Sequence, residues 1–133
     1  MSAIKAISYL LSHNSNLIAA VPAAKIFAGQ IPINTVLPAV AVNEISTTEY
    51  LTVALNESKV TETTRVQVSV QTKTYATQKS ILELVRKALP NTHATVNGVD
   101  VDSIVPEGAG PDLRDDDANI FMQSRDFMVR FSV

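Results

Sequence analysis

Residues 63–89, TTRVQVSVQTKTYATQKSILELVRKAL, change hydrophobic period part-way along. Val66, Val68 and Val70 alternate with Arg65, Gln67, Ser69 and Gln71, which puts one apolar and one polar face on a strand. From Tyr75 onward the period lengthens. Ile81, Leu82, Val85, Ala88 and Leu89 recur at helical steps, and Pro90 supplies the stop. Thr77 is the expected N-cap. A half-wet strand running straight into an amphipathic helix constrains the fold: the strand requires a sheet, and the helix must cover that sheet's apolar face.

The rest of the chain supplies both partners. Ile4, Ile7, Leu10 and Leu11 share one side of a helix over about residues 2–13, which Asn14 should end, and a short second turn carries Leu17, Ile18 and Val21. Residues 23–38 are punctuated by Gly29, Pro32 and Pro38 and read as loop, with Ile26-Phe27 as a buried clip. AVAVNEIS, after Pro38, is a strand apolar enough to be buried on both faces. Residues 47–62 look like a hairpin turning near Asn56–Lys59; its arms are too polar to stand alone in water, so it should pack on something else. Asn97-Gly98 supplies the two positive φ angles of a type I′ turn, and the second arm of that hairpin should end near Pro106. GAGPDLRDDD, 108–117, is by composition a flexible acidic loop. Phe127, Val129, Phe131 and Val133 alternate with polar residues and form a closing strand. The order predicts one α+β domain over residues 1–133: an antiparallel sheet with two main helices packed on one face, plus an extended β-hairpin arm.

Composition narrows the chemistry. With 46 % hydrophobic and 18 % charged residues the chain is a folding one, but aromatics are only 5 %, so Val, Ile, Leu and Ala must build the core. The net charge of −2 gives no basic footprint for phosphates, and apolar runs stop well short of a spanning helix. The first residues lack the charged start and small-residue cleavage site of a signal peptide. Zero cysteines excludes disulfides, thiolate zinc sites, iron–sulfur clusters and thiol nucleophiles.

Each cluster that could carry chemistry has a blander reading that explains it better. Asp112, Asp115, Asp116 and Asp117 could hold a hard cation, but their spacing lacks the alternating ligands, central Gly and distal Glu of an EF-hand, and a solvated loop suffices. Asp100 and Asp102 share a strand face, as paired acid–base carboxylates would, yet alternation with Val99 and Val101 makes them the wet side of a hairpin. His13 and His93 have no metal-ligand spacing. No nucleophile elbow, phosphate loop or dinucleotide fingerprint is present. Arg65, Lys73, Lys79, Arg86 and Lys87 form a modest basic patch with only Tyr75 as an interleaved aromatic, which is an ordinary mixed-charge surface. No catalytic, cofactor-binding or metal-binding residue is assigned.

Taken together, KIFAGQIPINTVLPAVAVNEIS, TRVQVSVQTKTYATQKSILELVRKAL and the closing FMQSRDFMVRFSV resemble the tail terminator, or tail-completion, proteins of long-tailed bacteriophages. The shared features fall on Ile26-Phe27, Leu37-Pro38, Val66–Thr72, Tyr75-Ala76 and Phe127–Val133; the acidic stretch 108–118 does not map onto that pattern. The resemblance implies a non-enzymatic virion protein, made in the host cytoplasm and placed at the head–tail junction. It implies a ring, usually hexameric, that caps the tail tube, stops its elongation and offers a surface to the head-tail connector or stopper, with DNA passing through the lumen unbound. On that view Tyr50, Leu51, Val53, Leu55 and Lys59 belong to a subunit-contact arm. Asp112, Arg114, Asp115, Asp116 and Asp117 belong to a loop facing the lumen or the tube. The rivals are another neck component, such as a head-closure or stopper protein, a tube or baseplate subunit, and a small α+β ligand-binding domain.

Overall fold

The computed structural model describes residues 2–50 and 61–132. Its helices are α1 (Ser2–Ser12), α2 (Ser15–Ala20) and α3 (Tyr75–Ala88). Its strands are β1 (Ile26–Ala28), β2 (Ala39–Tyr50), β3 (Thr61–Thr72), β4 (Ala94–Val96), β5 (Val99–Ala109), β6 (Leu113–Asp115) and β7 (Ile120–Ser132). All seven strands join one sheet in the order β1-β2-β3-β7-β5-β4, and β6 continues the line of β5 along β7. Every pairing is antiparallel except β1 with β2.

The period-two pattern decides which face the helices cover. Val66, Val68 and Val70 of β3 share one face with Phe127, Val129 and Phe131 of β7, Val66 directly opposite Phe127, beneath the apolar sides of α1 and α3, and all six are buried. Ile4, Ile7 and Leu11 of α1 and Ile81, Leu82 and Val85 of α3 join that core, as their spacing predicted; Ala3 and Ala6 are buried with them, and Leu10 is only partly buried against it. The sheet curls around α1, so that Ala28 at one edge and Asn97 at the other line the same hollow beside it.

Several local expectations are corrected. The N-cap of α3 is Thr74, whose Oγ1 accepts the Thr77 backbone N–H at 3.2 Å; Thr77 sits a turn inside. Asn14 does end α1, and it also opens α2 by accepting the Leu17 N–H at 3.0 Å. The Ile26-Phe27 clip is a strand, paired in parallel with Val40 and Ala41. The 108–117 stretch is not a free loop: β5 continues through Pro106 to Ala109 and β6 begins at Leu113. Bulges between Val101 and Ser103 and between Pro106 and Gly108 let the strand absorb a proline and a glycine at φ +115°. Asn97 and Gly98 take φ +48° and +79°, as a type I′ turn requires.

Candidate functional site

Three kinds of surface qualify as candidates: the acidic hairpin, the two outer edges of the sheet, and the hollows between elements.

The acidic hairpin is bonded at almost every step. Gly110 N–H donates to the Ser124 carbonyl at 2.8 Å, and Gln123 Nε2 donates to the Gly110 carbonyl at 2.8 Å. Asp112 is then clamped to the start of α3: Lys79 Nζ donates to its Oδ1 at 2.7 Å and the Tyr75 hydroxyl to its Oδ2 at 2.9 Å. The same ammonium reaches Gln123 Oε1 at 2.7 Å. The Lys79 hydrogen bond, followed by that of Tyr75, holds the Asp112 carboxyl below the usual carboxylate range, and Asp112 in turn raises Lys79. Asp115 Oδ1 accepts the backbone N–H groups of Asp117 and Ala118 at 3.1 and 3.2 Å, which braces the turn. Arg114 pairs with Asp116 at 3.2 Å and lies over the Phe121 ring, while Lys73 donates to the Ala118 carbonyl at 3.1 Å. Of the five residues expected on a lumen- or tube-facing loop, Asp112 therefore serves as a clamp and Asp115 as a turn brace. Arg114, Asp116 and Asp117 remain on the exposed surface.

The two sheet edges differ. Outward-facing groups of β5 are covered: Asn91 Oδ1 accepts the Ile104 N–H at 3.1 Å, His93 Nδ1 stands 3.3 Å from the Asp102 carbonyl, and Pro106 has no N–H to offer. On the opposite side β1 pairs only with Val40–Val42, ending where Gly29 N–H donates to the Val42 carbonyl at 2.9 Å. Beyond that point β2 runs on to Tyr50 with β3 as its strand partner and a bulge between Glu44 and Ser46. The Thr47 hydroxyl donates to Glu44, whose carboxyl is lowered chiefly by that bond. Of the residues expected on a contact arm, Tyr50 ends β2 opposite Thr61; Leu51, Val53, Leu55 and Lys59 lie outside the described residues.

A cleft of about 460 Å³ separates the 31–37 loop from Gln71, Lys73, Asp115 and Ile120 at one end of the sheet. Two adjoining hollows of about 260 and 420 Å³ share Ile4 and Ala28 beside α1. None gathers convergent reactive groups. Asp100 and Asp102 stay on the wet side of β5, and His13 stacks on Tyr9 with its Nδ1 bonded to the Tyr9 carbonyl at 2.9 Å. Among the described residues no three His, Asp or Glu side chains stand together to hold a metal ion, and no helix is long and apolar enough to cross a membrane.

Sequence reasoning passed over Ile33 and Val36, the two most exposed large apolar side chains among the described residues, because Pro32 and Asn34 mark their segment as loop. It also passed over Asn91, since an edge-capping side chain leaves no periodic signal.

Comparison with known proteins sets this surface in context. A family model described as "Tail completion protein gp17" matches residues 5–132. A chain of the solved structure described as "Virion of native gene transfer agent (GTA) particle" superposes with a TM-score of 0.76 at 18 % identity, covering 100 % of this chain and 95 % of that one. At that identity the likeness shows the fold. No curated protein matches the sequence.

Proposed function

This chain belongs to the family of the phage tail completion protein gp17, and from that premise we propose that it works as a ring-forming terminator of the tail tube. Identical copies close into a ring, usually hexameric in proteins it resembles, and seat on the end of the tube. There the ring blocks further tube subunits and presents its other side to the head-side connector or stopper. The molecule acts through shape-matched contact, with no bond made or broken. DNA passes through the lumen at the head–tail junction without specific binding.

The observation that carries this reading is the family match over residues 5–132, nearly the whole chain. The surface supports it. The described residues offer no reactive constellation, and the two sheet edges differ in kind: β5 is capped by side chains, whereas β2 extends past β1, its one outer strand partner among the described residues. A ring of identical copies requires two different patches per copy, and a molecule with two unlike sides provides them.

Solution mass by light scattering tests the ring. A discrete closed multimer of about six copies is expected, and a monomer at every concentration examined, even with tube ends added, overturns the ring. Adding purified protein to growing tail tubes tests the cap. Tube length should stop increasing, and continued growth at saturating protein would sink the terminator role in favour of a neck component.

A further inference from the structure

We infer that residues 30–37, the connection from β1 to β2, form a strap with two positions: an open one, in which Ile33 stands in water, and a closed one, in which Ile33 packs on Ile120 and the Asn34 amide meets that of Gln71.

The strap is stiff in its middle and loosely held. Thr35 braces the tip, its backbone N–H and its hydroxyl both donating to the Pro32 carbonyl at 3.3 and 2.6 Å, and Asn34 takes the left-handed φ of +68°. Those bonds stay within the turn. Among the described residues, no hydrogen bond joins residues 30–37 to the rest of the molecule. The attachments lie at the two ends, where the Gly29 N–H donates to the Val42 carbonyl at 2.9 Å and Ala39 starts β2 opposite Gln71. Gly29 has φ +95°, and a Cβ built there would meet nothing within 4 Å, so the backbone at that end is free to turn. A self-braced turn on two end attachments moves as one piece, as hinged segments do.

The space beneath the strap matches what it carries. Residues 31–35 and Leu37 form one wall of the 460 Å³ cleft, and the end of the sheet forms the other with Gln71, Lys73, Asp115, Ala118 and Ile120. Ile33 belongs to the strap wall and is nevertheless 88 % exposed, since nothing fills the gap before it. Ile120 waits on the sheet wall, so closing removes apolar area from water on both sides, and that supplies the driving force. The charged groups do not oppose it. Lys73 keeps the Ala118 carbonyl at 3.1 Å, and Asp115 keeps the N–H groups of Asp117 and Ala118. Asn34 and Gln71 stand on opposite walls, and neither side-chain amide has a hydrogen-bond partner among the described residues, so each can satisfy the other. Val36 is not part of the cleft wall and stays outside in both positions. The strap thereby sets how much apolar surface this end of the sheet offers to another protein: Ile33 is shown when it is open and hidden when it is closed.

The chain contains no cysteine, so closing can be trapped. Two full-length double variants, Ile33→Cys with Ile120→Cys and Val36→Cys with Ile120→Cys, are oxidised in dilute solution, and disulfides within one chain are counted by mass. The Ile33 pair should close at least about tenfold faster than the Val36 pair. Equal rates, a faster Val36 pair, or disulfides formed only between copies overturn the closed position. A second measurement uses the unmodified chain and does not depend on how the variants fold. Methyl groups of Ile33 and Ile120 should show a nuclear Overhauser contact in solution, and its absence overturns the strap.

Discussion

On the face of the sheet that the helices cover, Val66, Val68, Val70, Phe127, Val129 and Phe131 are buried; one residue away along the same two strands, the bare face carries Arg65, Gln67, Ser69, Ser124 and Asp126. The bare face is ordered by cross-strand polar pairs, Ser69 with Ser124 at 3.0 Å and Arg65 Nε donating to Asp126 Oδ2 at 2.8 Å. The difference is one of driving force. Apolar area removed from water on the covered side supplies the folding free energy, while the half-buried hydrogen bonds of the other face exchange water partners for protein partners at little net gain. The bare face therefore has freedom to suit a neighbour, and the covered face does not.

The comparison breaks first if the covered face proves dispensable. Phe127→Ala should cost about 3–5 kcal/mol in chemical denaturation, because a wholly buried ring leaves a cavity; a loss under about 1 kcal/mol would mean that the core lies elsewhere. A buried polar residue on that side sharpens it. Gln78 of α3 is fully buried, and neither its Nε2 nor its Oε1 meets a partner among the described residues. Gln78→Leu should raise stability by about 1 kcal/mol, since the desolvation cost of two unpaired polar atoms disappears. A comparable loss in the same denaturation assay would reveal an interaction at Gln78 that offsets its burial. On the bare face, Arg65→Ala should change stability by about 0–1 kcal/mol and no more, as expected for a partly solvated ion pair; a larger effect would erase the contrast between the faces.

The smallest effect is the acid release of the Asp112 clamp, at the rim where the two faces meet. Its carboxyl is depressed in the fold by Lys79 first and Tyr75 second. The clamp's contribution is therefore fully present above the unfolded pKa of an aspartate and is lost as pH falls through the lower folded value. Amide resonances of Gly110, Asp112 and Leu113 should shift with a midpoint below the usual carboxylate range, and Asp112→Asn should abolish that transition. A midpoint at or above the ordinary aspartate value would show that the clamp does not hold in solution.

Much of this was legible in the sequence, and the failures share a cause. The alternation at 65–71, the helical steps at 75–89 and the Asn97-Gly98 turn became β3, α3 and the β4–β5 hairpin, because each signal is carried by neighbours along the chain. Thr77 gave way to Thr74 because either threonine suits a cap, and only the backbone's exit from β3 selects between them. β5 passes through Pro106 and Gly108, which read locally as breakers, because past Val101, where β4 stops pairing with it, it is an edge with bulges and can lose an N–H without breaking a ladder. Likewise β6 takes its order from β7, not from its own acidic residues.

The order of residues alone determined the class of fold, which face of each element is apolar, and the absence of thiol chemistry, since period and composition are properties of the chain itself. Tertiary structure alone decided that β1 lies parallel to β2, that Asn91 closes one edge, that Asp112 clamps a hairpin, and that Ile33 and Val36 stand in water. Each of these joins groups distant in the chain, or depends on whether space around a side chain is filled. Such relations arise from packing, and no local pattern encodes them.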